Sequence, residues 1–185
     1  MERFDVIVVG GGAAGMMAAG VAALRGKQVL LLEKNEKLGE KLSITGGGRC
    51  NILNAEHDKR VLLAHYGDAE QFLYSSFSHF GLKEAISFFE EIGVPIVVEE
   101  LKRAFPKTQR ARSVTDALVR WIRNCGVTIR TRSAVVKVLT ENNAIVGVST
   151  LTETFRAPSV IISTGGVSRP ETGSTGDGFR FLKKV

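Results

Sequence analysis

Apolar and polar positions fall in distinct blocks along the chain. Asp5-Val6-Ile7-Val8-Val9 ends in a continuous β-branched run, which predicts a strand buried on both faces. Gly10-Gly11-Gly12 interrupts it. Residues 13–25 are mostly small and apolar and predict a helix, with Gly26 just past its end. Residues 28–32 predict a second buried strand that stops at Glu33. Strand, glycine turn, helix and strand within about 30 residues make a βαβ unit, whose crossover is right-handed and sets the two strands parallel.

Downstream, residues 34–60 are polar and glycine-rich around Gly46-Gly47-Gly48 and predict mostly loop with a short helical turn. Helices are predicted over 69–80 and 82–92; in the second, Leu82, Ala85, Ile86, Phe89 and Ile92 share a face and Gly93 stops it. Ser113 and Asp116 form a candidate N-cap pair for a helix to Cys125, with Val114, Leu118, Trp121 and Cys125 on one stripe. Strands are predicted over 127–131, 134–139, 144–150 and 160–163, with Glu141-Asn142-Asn143 as a turn. Residues 179–185 predict the opening of another helix. The order gives an α/β fold: a parallel Rossmann-type sheet with helices on both faces and a small antiparallel β-meander as a satellite layer.

Composition narrows the class. At 185 residues, 44% hydrophobic and 24% charged, the chain is an ordinary globular domain with room for a sizeable core. Collagen-like, disordered and disulfide-scaffold classes are excluded. Cys50 and Cys125 are too few for a disulfide framework, and no zinc-ligand spacing occurs. Met1 to Asp5 carries two acids and does not read as a signal peptide, and no apolar run reaches the roughly 20 residues a bilayer requires. The expectation is a cytoplasmic protein without a membrane partner. The net charge of +6 is uneven: residues 101–132 hold nine Lys and Arg against the single acid Asp116. That stretch is either a solvated face or a surface for an anionic partner.

The chemistry concentrates at the glycine turn. Gly10-x-Gly12-x-x-Gly15 is weak as a bare pattern, but here it follows a buried strand and opens a helix. Gly10 permits the tight turn, Gly12 lets backbone approach a pyrophosphate, and Gly15 lets helix and strand sit close. With Ala13 and Ala14, these residues would present free N–H groups and the positive helix end to the phosphates. Glu33 suits the ribose hydroxyls and disfavours a 2′-phosphate, and Lys34 follows it. In the loop that follows, Lys41 is a further cofactor-site candidate. Gly47 and Gly48 allow close approach to a flat ligand, Arg49 offers a cation, and Asn51 a hydrogen bond to a flavin or ribityl chain. Cys50, counted with its loop neighbours as a cofactor-site candidate, has no nearby second cysteine, which rules against a thiol–disulfide relay and leaves a lone reactive thiol as an alternative. Cys125 reads as core. Asp177 reads as an N-cap, with a contact near a substrate as the alternative. His57, His65 and His79 are scattered and read as structural. No catalytic residue stands out.

The glycine turn alone does not separate FAD from NAD. The long glycine-rich loop, the late meander and the last strand ending at Thr164-Gly165-Gly166 resemble, in that order, two-dinucleotide-binding-domain flavoproteins of the glutathione-reductase type. That resemblance assigns Val135 and Val136 to the adenine side and Ser163-Thr164-Gly165 to the Ala/Ser-Thr-Gly loop, with Gly166 beside Thr164 and Gly165 as a further cofactor-site candidate. Lys41-Leu42-Ser43-Ile44-Thr45-Gly46-Gly47-Gly48-Arg49-Cys50-Asn51, Ala104-Phe105-Pro106 and Thr164-Gly165-Gly166-Val167-Ser168-Arg169-Pro170 are similar to the BaiN/YhiN-like (aminoacetone-oxidase-like) family of NAD(P)/FAD-dependent oxidoreductases. The resemblance implies FAD as cofactor, NAD(P)H as reductant, a small-molecule substrate and hydride transfer. It further implies that residues 1–185 are the FAD-binding domain at the N-terminal part of a longer flavoprotein, with an inserted domain and a C-terminal return segment outside it. Two other readings stay open: a nucleic-acid-linked flavoprotein of the tRNA-modifying type, and a non-catalytic nucleotide-binding module.

Overall fold

The computed structural model describes residues 3–183; Met1 and Glu2, and Lys184 and Val185 of the expected last helix, lie outside the described residues. In chain order the elements are β1 (Val6–Val9), α1 (Ala13–Leu24), β2 (Val29–Leu32), α2 (Glu40–Ile44), β3 (Leu53–Asn54), α3 (Lys59–Ala64), α4 (Glu70–His79), α5 (Leu82–Glu91), β4 (Ile96–Val98), β5 (Arg103–Pro106), α6 (Ala111–Asn124), β6 (Thr128–Arg130), β7 (Lys137–Glu141), β8 (Ala144–Ser149), β9 (Thr154–Arg156), β10 (Ser159–Ile162) and α7 (Asp177–Leu182). They fall into two compact units, residues 1–42 with 118–185, and residues 43–117.

The first unit is built on a parallel sheet in the order β10-β1-β2-β6. Strand β1 pairs in register with Val29–Leu32 on one side and Ser159–Ile162 on the other. Because side chains alternate across a strand, Ile7, Val9, Leu30 and Leu32 share one face. There they join Val135, Val148, Phe155, Ala157 and Phe181 in a single buried cluster. Each such large side chain, fully buried, contributes about 1.5–3 kcal/mol. Helix α1 packs against β1, β2 and β10 on the opposite face, with Met16 and Ala19 fully buried.

This corrects one expectation. Helices were predicted on both faces of the sheet, but the second face is covered by the antiparallel meander β7-β8-β9 together with Phe181 of α7. The meander supplies a flat apolar surface from Val148 and Phe155, which matches a sheet as well as a helix would. The strand predicted over 134–139 begins its ladder only at Lys137 and runs on to Glu141. Its end is set by Asn142 and Asn143, both left-handed (φ 50° and 61°), which close a two-residue hairpin turn. Strand β9 was not anticipated: its single buried residue, Phe155, gives too short a pattern to read.

The second unit carries a three-stranded antiparallel sheet, β3-β5-β4, absent from the sequence reading because its strands are only two to four residues long. Residues 34–60, expected as mostly loop, contain α2, β3 and the start of α3, whose cap is Asp58 accepting from the Arg60 and Val61 amides. Helix α6 starts at Ala111, two residues before the predicted Ser113 cap. Ser113 lies inside the first turn and its hydroxyl donates to the Arg110 carbonyl, while Asp116 pairs with Arg112 one turn back.

Within the first unit, Gly20 on α1 faces the Trp121 ring: a Cβ there would stand 2.2 Å from the ring. Gly20→Ala is expected to destabilise the chain by about 1 kcal/mol or more, the overpacking strain outweighing alanine's better helix propensity. The midpoint of a urea transition measures it, and an unchanged or raised midpoint would contradict this packing.

Candidate functional site

The glycine turn lies at the C-terminal end of the parallel sheet, where β1 hands over to α1. Gly10 donates to the Leu32 carbonyl (2.8 Å) and has φ 108°, a conformation other residues rarely adopt. A Cβ on Gly10 would lie 2.5 Å from the Ser163 carbonyl oxygen, and one on Gly15 would lie 1.8 Å from the Gly10 carbonyl oxygen. A side chain on Gly11 would meet Leu38 at 2.1 Å. Gly10 and Gly15 are demanded by the protein's own backbone packing, while a side chain on Gly11 would have to displace the Leu38 methyl. Gly12 is different: its φ is −74°, open to any residue, and a Cβ there would meet nothing within 4 Å. Gly166 behaves in the same way, outside the positive-φ region and with nothing within 4 Å. Among the described glycines, only these two combine an ordinary φ with open space around the position of a Cβ. They lie in the loops that follow β1 and β10, which are adjacent strands.

Glu33 is buried beside the turn. Its Oε2 accepts from the Gly11 amide (2.6 Å) and its Oε1 from the Asn35 amide (2.8 Å), so the carboxylate is held at the C-terminal end of β2. Lys34 donates to Thr175 Oγ1 (2.8 Å) and to Asp177 Oδ2 (2.7 Å). Lys41 comes close to Gly165, its Nζ 3.8 Å from the position of a Cβ there. On the other flank, Ser163 Oγ reaches the carbonyls of Val9 and Gly10, and Thr164 Oγ1 accepts from the Gly178 amide. Gly10, Gly12, Ala13, Ala14, Gly15, Glu33, Lys34, Lys41 and 164–166 thus gather at one end of one unit. Val135 is buried in the sheet's core cluster, whereas Val136 is exposed and donates to the Ser149 carbonyl.

Asp177 is not the N-cap expected of it. Gly176 (φ 75°) caps α7, and the Asp177 carboxylate, almost buried, instead gathers Lys34, Thr175 and Arg180. Burial would raise its pKa, but the Lys34 and Thr175 hydrogen bonds and the neighbouring cations outweigh it and hold the carboxyl below its usual range. Asn35, which donates through Nδ2 to the Thr172 carbonyl, was not anticipated. The signal was present in Thr175-Gly176-Asp177-Gly178, but a partly buried ion pair 143 residues apart has no local signature.

The glycine-rich loop belongs to the second unit. Gly46, Gly47 and Gly48 are all left-handed, as is Cys50 (φ 61°). Arg49 donates to Glu99 (3.1 Å) and Gln109 (2.9 Å) and lies over the Phe105 ring, 4.0 Å from its centroid. Asn51 faces the carbonyls of Ala104 and Leu53 at 3.2 Å each, which assigns its amide nitrogen, as donor, to that side. Gly47 and Gly48 face open space. Cys50 is fully buried, and that burial pushes its thiol pKa up against a smaller opposing hydrogen bond from Thr45. Of the basic stretch, Lys102, Arg112 and Arg132 are paired with Glu56, Asp116 and Glu36.

Residues 4–185 match the family described as HI0933-like protein, Rossmann domain. The chain belongs to this family. The HI0933-like chain is 30% identical over 184 residues to a ribosomal RNA dihydrouridine synthase of Escherichia coli, covering 100% of this chain and 45% of the relative. It is also 30% identical over 188 residues to a 3-dehydro-bile acid delta(4,6)-reductase of Clostridium scindens, covering 100% of this chain and 44% of that relative. The HI0933-like chain therefore spans less than half the length of these curated relatives. In fold it resembles a 3-ketosteroid-delta4-(5alpha)-dehydrogenase from Rhodococcus jostii RHA1, with a TM-score of 0.72 at 18% identity over 98% of this chain and 53% of that one. No helix among the described residues is long and apolar enough to cross a membrane.

The thiols provide a direct check. With the native protein at pH 8, a thiol reagent is expected to titrate the half-buried Cys125 and leave Cys50 unmodified until urea is added. Rapid modification of both in the native state would contradict the buried, protonated Cys50.

Proposed function

We propose that this chain is the dinucleotide-binding part of an FAD-dependent oxidoreductase that uses NAD(P)H as reductant, acts on a small-molecule substrate and works in the cytoplasm. The observation that carries the reading is the pair of glycines, Gly12 and Gly166, that neither the backbone nor the packing demands. A ligand passing over both loops accounts for them, since a side chain at either position would stand in its way.

The residues fit the adenosine and pyrophosphate half of FAD. The first-turn amides of α1 have no intrahelical acceptor, and together with the positive helix end they suit a pyrophosphate over Gly12. Glu33, held by the Gly11 and Asn35 amides, keeps lone pairs for two ribose hydroxyls. Lys41, beside Gly165, adds a cation on the β10 side. Val136, exposed along the segment leading into β7, offers an apolar edge for an adenine. The proposal rests on the first unit alone. FAD, when bound, supplies a ring that exchanges hydride; the protein contributes binding, orientation and electrostatics.

A second reading assigns an RNA base as substrate. It is favoured by the names of two relatives, the ribosomal RNA dihydrouridine synthases of Escherichia coli and Haemophilus influenzae, and by the basic stretch 101–132. A salt-sensitive RNA mobility shift that disappears when Arg110 and Arg112 are both replaced by Gln would support it.

The first reading is tested by titrating ADP and FAD into the wild-type chain and three variants. Gly12→Val and Gly166→Val are expected to keep the wild-type thermal midpoint to within a few degrees and to lose binding. Glu33→Ala is expected to weaken ADP about tenfold or more, the loss of charge-assisted hydrogen bonds worth about 1.5–3 kcal/mol. Full affinity in Gly12→Val would place the ligand elsewhere.

A further inference from the structure

The segment from Thr172 to Gly178 is tied to both flanks of the glycine turn. Toward β2, the Thr172 carbonyl accepts from Asn35 Nδ2 (3.1 Å), and Thr175 and Asp177 accept from Lys34 Nζ at 2.8 and 2.7 Å. Toward β10, the Gly176 amide donates to the Gly166 carbonyl (3.0 Å) and the Gly178 amide to Thr164 Oγ1 (3.0 Å). These contacts all lie within the first unit. Strands β2 and β10 are not neighbours; β1, with its glycine turn, lies between them. The segment is therefore a strap joining the two outer loops across the central one.

We propose that the strap is a positioning device for the nucleotide site, locked by the Lys34–Asp177 pair. The inference rests on the nucleotide reading above and adds to it a role for residues that need not touch the ligand. Three observations support it. Lys34 lies between Glu33 and Asn35, and the Asn35 amide is one of the two donors that hold the Glu33 carboxylate. Holding residues 34 and 35 thus holds the orientation of the residue that faces the ribose. Asp177 is 8% exposed, and its charge is fully committed to Lys34, Thr175 and Arg180, which is the bonding of a fixed joint. The path is built for glycine at two places, since Gly173 and Gly176 are both left-handed and a Cβ on Gly173 would lie 2.8 Å from Asn35, so the strap passes close against the residue beside Lys34. A site fixed before the ligand arrives loses less freedom on binding.

The mechanism separates the strap from two simpler roles in a double-mutant cycle. ADP is titrated into wild type, Asp177→Asn, Lys34→Met and the double variant, with thermal midpoints recorded for each. If the pair acts as a lock, each single variant weakens ADP about tenfold and the double variant loses no more than either single. If Lys34 binds phosphate directly, Lys34→Met weakens ADP while Asp177→Asn, which frees the ammonium, leaves the affinity unchanged or raises it, and if the two residues act independently the losses multiply toward a hundredfold; either result overturns the proposal. Unchanged ADP affinity alongside a lowered midpoint also overturns it, since the pair would then be structural only. Should Asp177→Asn fail to fold, Lys34→Met, with its more exposed side chain, carries the same comparison against wild type. Amide exchange in ligand-free protein supplies a readout independent of the nucleotide: faster exchange at residues 10–12 and 33–35 in the variants is expected. A wild-type chain that does not bind ADP overturns the nucleotide reading, and unchanged exchange at those residues overturns the strap.

Discussion

Helix α1 comes too close to the strand that feeds it for any side chain to stand between them. Gly15 on the first turn of the helix lies so near the Gly10 carbonyl that a Cβ would stand 1.8 Å from its oxygen, and a Cβ on Gly10 would stand 2.5 Å from the Ser163 carbonyl oxygen. No other residue types fit this geometry. It brings the helix down onto the end of the sheet, so that the α1 N-terminus and the loops after β2 and β10 converge at one edge. Everything read as functional in this unit depends on that convergence.

Around the turn, the polar groups are held by one another before any ligand is considered. Glu33 would be costly to bury as an isolated carboxylate; the Gly11 and Asn35 amides satisfy it and fix its direction. Asp177 would be equally costly, and Lys34, Thr175 and Arg180 satisfy it. The two carboxylates divide the work. One keeps spare acceptor capacity beside the glycine turn, and the other is consumed in joining the end of β2 to α7.

The loop of the second unit shows the opposite arrangement. Arg49, the cation that the sequence offered to a phosphate or flavin, lies on Phe105 with Glu99 and Gln109 as partners. The Asn51 amide serves the carbonyls of Ala104 and Leu53, and Cys50 is buried as a neutral thiol. In this unit the side chains with the most chemistry are engaged in holding the loop, and the open positions are those of Gly47 and Gly48.

The βαβ unit, the roles of Gly10 and Gly15, the position of Glu33 and the turn at Asn142-Asn143 were all legible in the sequence, because each depends on residues within one turn or one strand of each other. Continuous apolar runs announce buried parallel strands, and glycine announces tight turns, whatever the rest of the chain does. The short strands β3, β4, β5 and β9 were not legible, since two to four residues carry no period that separates strand from loop. The sequence placed helices on both faces of the sheet, and only packing revealed that the meander covers one of them. The sequence named Gly12, but only tertiary structure could distinguish it and Gly166 from the other glycines, because that distinction depends on which atoms stand nearby. The same holds for Asp177: a carboxylate after Gly176 reads locally as a cap, and its partner Lys34, 143 residues away, becomes its neighbour only when the sheet has closed.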